Sequence, residues 1–143
     1  MPLKLHIAIG WFLVIATLGL IGFYVPAHER TIGESYLIFF FHFPSAISSL
    51  LLFLVAGGIS VAYLARRKAR LDIAAATCVE VGLLGCTITL VTGSVWAKAA
   101  WGIWWDSSDP RLMTVAILWL TYLGYVVLRN TLEEPVKRAL FSA

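Results

Sequence analysis

The sequence predicts an all-α integral membrane protein, a bundle of four transmembrane helices with both termini in the cytoplasm. Three observations lead there. The 143 residues are 60% hydrophobic and only 13% charged, where soluble domains hold about 45–50% and about 25%. Four apolar runs are each long enough to cross the roughly 30 Å hydrocarbon core of a bilayer. Finally, the bases are unevenly placed. Lys4, Arg66, Arg67, Lys68, Arg70, Arg129, Lys137 and Arg138 fall on one side of the predicted spans, and only Arg30, Lys98 and Arg111 on the other. Cytoplasmic loops collect Lys and Arg, so the side with eight of the eleven bases is assigned to the cytoplasm.

The first span is read at His6–Val25, ended by Pro26. One lysine, a long apolar run and no small-residue cleavage site predict an uncleaved span rather than a signal peptide. The short polar loop PAHERTIGES follows. The second span runs from Tyr36 to Ala65 and is long enough that it must tilt or protrude. ARRKARLD is a tight basic turn. The third span is Ile73–Val95, the fourth Leu112–Leu128, and a charged tail closes the chain. The whole of 1–143 reads as one domain. Cys78 and Cys86 lie about 12 Å apart along a helix, too far to bond to each other, and read as small buried residues. No Cys-x-x-Cys-His signature for covalent haem attachment is present. No nucleic-acid partner is expected.

Between the third and fourth spans lies WAKAAWGIWWDSSDPRL, Trp96 to Leu112. Four of the six tryptophans fall here: Trp96, Trp101, Trp104 and Trp105. Tryptophan suits the lipid–water boundary because it joins a broad apolar face to one N–H donor. An interfacial belt is one reading. Four such residues within ten positions, alternating with glycine and charge, also fit a platform for a planar ligand. Lys98 and Arg111 could pair with carboxylates of that ligand, or simply snorkel to headgroups. Asp106 and Asp109 could hold these bases, or cap the fourth helix, where Pro110 suits the first turn.

His42 sits in FFFHFPSA, about 9 Å along the second span, toward the same side as the tryptophans. Ionisable groups inside spans are rare and usually functional, and an imidazole there can bind a metal or accept a hydrogen bond. The bland alternative is a histidine satisfied by a backbone carbonyl. Pro44 removes a bond to the carbonyl of Phe40 and is expected to bend or open the helix. Glu80 is the acid within a span, and a structural hydrogen bond to another helix is expected for it. His6 and His28 carry little signal.

Together, TGSVWAK (Thr92–Lys98), WGIWW (Trp101–Trp105) and DPRL (Asp109–Leu112) resemble the tryptophan-rich, WWD-like signature of the cytochrome c assembly family. Within that family the likeness is to the haem exporter protein C type. FFFHFPSA resembles its second-span motif, and LWLTYLGY in the fourth span also fits. The resemblance implies a non-enzymatic role in haem handling for c-type cytochrome maturation, in a multi-pass protein of the cell inner membrane. Its cofactor would be haem b, transiently bound at the outer face against the tryptophan-rich loop, between two axial histidines. Its partners would be lipid, haem and other maturation subunits, namely a haem chaperone and ABC-type transporter subunits.

Carried over by position, His42 matches the first axial histidine, the ligand of the haem iron. Trp96, Trp101, Trp104, Trp105, Asp109 and Arg111 match the platform, and Lys98 or Arg111 would pair with the propionates. The family has a tryptophan where this chain has Ser108, and DSSD is one residue longer than its counterpart. The family also has six spans, with its second axial histidine beyond the fourth. Four are read here, as in a fragment or short member. The iron then has one protein ligand, recruits His28, or takes a ligand from a partner. Rival expectations are a scaffold subunit of the assembly complex with a degenerate haem site, an electron-transfer subunit, which would need a second buried histidine, and a small transporter built on Glu80.

Overall fold

The computed structural model describes residues 12, 15–17, 19–21, 33–132, 134, 137 and 139–140, with the side chain of Glu34 left aside. A 3-10 turn, Glu34–Ile38, leads into three helices: α1 (Phe39–Arg66), α2 (Ala69–Trp101) and α3 (Pro110–Thr131). Three stretches are long and apolar enough to cross a membrane: Ser35–Arg66, Ala69–Trp101 and Pro110–Thr131. They correspond to the second, third and fourth predicted spans. The first predicted span lies mostly outside the described residues; within it, residues 12, 15–17 and 19–21 are helical. His6 and His28 also lie outside the described residues.

The chain forms two compact units, Met1–Phe40 and Phe41–Ala143. In the first, the rings of Tyr36 and Phe39 stack and Phe40 meets both edge-on. The second unit holds nearly all of α1, with α2 and α3.

These helices satisfy their polar groups internally, as lipid requires. Ser45 Oγ donates to the carbonyl of Phe41 at 2.7 Å, Ser49 Oγ to Ser45 at 2.6 Å, and Thr89 Oγ1 to Gly85 at 2.9 Å. Pro44 lies within α1, and the helix continues through it to Arg66. The turn to α2 is only Arg67 and Lys68. Arg67 takes a left-handed conformation, φ 50°, and donates its N–H to the carbonyl of Tyr63 at 2.7 Å.

Phe53, Ala56, Val79 and Cys86 form the buried core, with Leu118, Trp119, Tyr122 and Tyr125 of α3 packed against it. Phe53 and Tyr122 lie face to face, centroids 3.8 Å apart and nearly parallel. Gly82 permits this: a Cβ there would come within 2.8 Å of Phe53 Cε1. Trp119 Nε1 donates to Thr87 Oγ1 at 2.8 Å, tying α3 to α2. At the end of the bundle where α2 begins and α3 finishes, Arg129 grips Asp72 through two bonds of 2.8 Å. Both side chains are almost wholly buried, 9% and 13% exposed. Arg129, counted above among the surface bases, is thus a buried partner.

Among the described residues Glu80 makes no interhelical bond. It sits on the exposed side of α2, and no described residue meets its carboxylate. Cys78 and Cys86 are free, and only Cys86 is fully buried.

Candidate functional site

α2 runs further than the sequence suggests, through Trp101, so Trp96 and Lys98 are helical rather than in a loop. Ala97, Lys98, Ala99 and Ala100 are strong helix formers, and the stop comes only at Gly102. That residue takes φ 78°, a conformation that costs glycine little, and donates its N–H to the carbonyl of Lys98 at 3.0 Å. The loop that follows carries Trp104 and Trp105.

Asp109 then starts α3 as its N-cap. Its carboxylate accepts from the backbone N–H of Arg111 at 2.8 Å, and Pro110 occupies the first turn, as the sequence indicated. The same carboxylate binds the Arg111 side chain, with Nε donating to Oδ1 at 3.0 Å and Nη2 to Oδ2 at 2.5 Å. These bonds, first the guanidinium and then the backbone N–H, hold the Asp109 carboxyl down to about 2. Asp106 accepts from the backbone and hydroxyl of Ser108, and its carboxyl is lowered mainly by that hydroxyl.

His42, Gly93, Trp96, Trp101, Asp109, Arg111 and Leu112 line one cavity of about 130 Å³. Its aromatic and cationic groups form a row. The His42 and Trp96 ring centroids are 5.9 Å apart, Trp96 and Trp101 6.4 Å, and the Arg111 guanidinium carbon lies 5.9 Å from the Trp101 ring. The planes are tilted, by 54° and 33° in the first two steps, so the row is a stepped wall rather than a flat platform. Trp101 is 53% exposed. His42 Nδ1 lies 3.2 Å from Thr92 Oγ1. The Trp96 Nε1–H is buried and finds no partner among the described residues.

Of the residues singled out in the sequence, His42, Trp96, Trp101, Asp109 and Arg111 are therefore brought together. Lys98, Trp104 and Trp105 are not on this wall. Lys98 Nζ donates to the carbonyl of Gly102 at 2.7 Å, and Trp104 and Trp105 are exposed. Sequence reasoning passed over Thr92 and Gly93, although TGSVWAK was on view. A larger groove of about 310 Å³ between α1 and α2 is lined by serines, a glycine, a proline and aliphatic residues, with no ionisable group. The chemistry sits at the smaller cavity.

Among the described residues no three His, Cys, Asp or Glu side chains gather as a metal site. The pattern of the family described as Heme exporter protein C matches residues 3–143. The chain belongs to the haem exporter protein C family. It is 36% identical to the Heme exporter protein C of Paracoccus denitrificans over 114 residues, 80% of this chain and 46% of that one. It is 32% identical to the Escherichia coli K12 protein of the same name, over 93% of this chain and 58% of that one. A Marchantia polymorpha relative named "Putative cytochrome c biosynthesis ccmC-like mitochondrial protein" is 35% identical, over 85% of this chain and 52% of its own. The chain spans about half the length of the curated relatives it matches.

Proposed function

We propose that this chain binds haem b transiently at the outer face of the cell inner membrane and passes it on during c-type cytochrome maturation. In this reading it crosses the membrane four times as one domain, with both termini in the cytoplasm, and acts by binding and transfer rather than by catalysis. The observation that carries the reading is the buried Trp96 Nε1–H beside His42, without a partner among the described residues. A buried donor without an acceptor costs about 1–3 kcal/mol, and a polar edge of a ligand in the cavity would relieve it.

His42 would ligate the iron. Trp96 and Trp101 would meet the macrocycle, with Trp104 and Trp105 joining as the exposed loop folds over the ligand. Arg111 binds Asp109 through Nε and Nη2; its guanidinium carries five N–H donors, so those on Nη1 remain for a propionate. Lys98, at the same helix end, would supply a second cation. A cavity of 130 Å³ is below the roughly 300–1,000 Å³ of typical ligand pockets. It would hold one edge of the haem, while a second axial ligand and the opposite wall come from elsewhere, either His28 or a partner such as a haem chaperone or a transporter subunit.

The test is the absorbance of the chain purified in detergent, beside His42→Ala. The expected result is a Soret band that loses most of its intensity in the variant. An equal band in both sinks the assignment of His42. No band in either favours the second reading, a scaffold subunit with a degenerate haem site. That reading draws support from Ser108 in place of the family's tryptophan and from the exposure of Trp104 and Trp105.

A further inference from the structure

We propose that Thr92 and Gly93 together position the His42 imidazole, Thr92 by fixing which ring nitrogen carries the proton and Gly93 by giving the ring its seat. The ligand role of the other nitrogen rests on the haem reading above; the proton's place does not.

The hydrogen-bond chain determines the tautomer. Thr92 Oγ1 has one proton, and the carbonyl of Ile88, one turn back, accepts it at 2.7 Å. This is the usual bond of a helical threonine. What Thr92 presents to His42 Nδ1, 3.2 Å away, is therefore a lone pair, so Nδ1 must donate. Thr92 thus calls for a proton on Nδ1. In a neutral imidazole the other nitrogen, Nε2, then carries the free lone pair. Metal-binding histidines are generally held in this way, the second nitrogen donating to a fixed acceptor that sets ring orientation and basicity.

Gly93 supplies the other half. A Cβ at this position would lie 2.9 Å from His42 Cε1 and 3.4 Å from Nδ1. Carbon atoms in contact lie about 3.5–4.0 Å apart, so any side chain at 93 must push the ring off Thr92. Gly93 is itself buried in α2, so its backbone cannot easily yield. Threonine and glycine are adjacent in the sequence, so one turn of α2 both holds the ring and makes room for it.

The test is ¹⁵N NMR of the histidine-labelled, haem-free chain in detergent, at a pH where imidazole is neutral, with His42→Asn to assign the signal. We expect the protonated signal at Nδ1 and the unprotonated one at Nε2. Thr92→Ser should keep that pattern, and Thr92→Val should move it toward a mixture. Haem titration gives the second readout. Loss of such a second partner typically weakens metal binding 10–100-fold, so Thr92→Val should bind haem about tenfold more weakly, with Thr92→Ser restoring most of the affinity and Gly93→Ala losing more than Thr92→Val. An Nε2–H tautomer in the unsubstituted chain, or a Thr92→Val spectrum identical to it, overturns the proposal. If the tautomer is as expected but neither form takes up haem, the haem reading falls and the positioning stands.

Discussion

Trp119 and Trp96 both place an indole N–H away from solvent, and their surroundings differ. Trp119 lies in the core and donates to Thr87 across the helix interface. Trp96 lies near the end of α2 and donates to no described residue. The same contrast separates the two ends of the bundle. Where α2 starts and α3 finishes, an arginine and an aspartate are buried and doubly bonded. Where α2 finishes and α3 starts, the arginine of the Asp109–Arg111 pair is 77% exposed, Trp101, Trp104 and Trp105 stand open, and a histidine lines a cavity. One end buries a matched ion pair. The other holds its ion pair at the surface and keeps a buried indole N–H that no described residue meets.

The strongest challenge to this contrast is at the closed end. Removing one partner of a buried, hydrogen-bonded ion pair typically costs about 3–5 kcal/mol, because the other charge is left uncompensated. Asp72→Ala should therefore lower thermal stability in detergent by an amount of that order. Any haem bound per folded molecule should be unchanged, since Asp72 lies at the far end of α2 from His42. A variant as stable as the parent would show that the pair adds nothing, and the closed end would no longer be distinguished by its chemistry.

A smaller effect sharpens the comparison along a single helix. Gly82 and Gly93 both lie in α2 under an aromatic ring, Phe53 above one and His42 above the other. Overpacking a core typically costs about 1–3 kcal/mol. Gly82→Ala should fall in that range, since Phe53 is held on its far side by Tyr122. Gly93→Ala should affect stability less, because the displaced His42 ring borders a cavity into which it can move. Denaturation midpoints of the two variants, measured side by side, decide it. Equal losses would mean that the site end is packed as tightly as the core.

Most of the helical layout was legible in the sequence because lipid imposes one rule on every residue of a span: stay apolar and bond internally. That rule located the second, third and fourth spans. It could not place the end of α2, since Ala97–Ala100 are compatible with either helix or interface, and only Gly102 marks the stop. It also gave Arg129 to the membrane surface, because a base beside a span end looks alike whether it snorkels or turns inward to Asp72. The wall of the site was partly legible. His42, Trp96, Trp101, Asp109 and Arg111 stood out by residue type. Thr92 and Gly93 did not, since a threonine and a glycine inside an apolar run are ordinary, and their role depends on which helix crosses them. Glu80 was expected to find an interhelical partner, and sequence alone could not show which face of α2 it takes.

The smallest predicted effect concerns the open end alone. Asp109 titrates at about 2, below the ordinary value of about 3.9. A carboxylate with a depressed folded value stabilises the fold fully above its unfolded value. That contribution is lost as pH falls through the folded one. The cap and the Arg111 pair should thus persist from neutral pH down to about 4 and fade between there and about 2. Replacing Arg111 by glutamine removes the guanidinium but keeps the backbone N–H of residue 111, so the midpoint should rise without returning fully to the ordinary value. Added salt should raise it too, because the Arg111 side chain is exposed and its charge is screened. A ¹³C titration of the Asp109 carboxyl in both forms measures this directly. A midpoint near 4 in the unsubstituted chain would mean that Arg111 is not held by Asp109 in solution. The guanidinium would then be free, and the contrast between the two ends would be wider than the Asp109–Arg111 bonds make it.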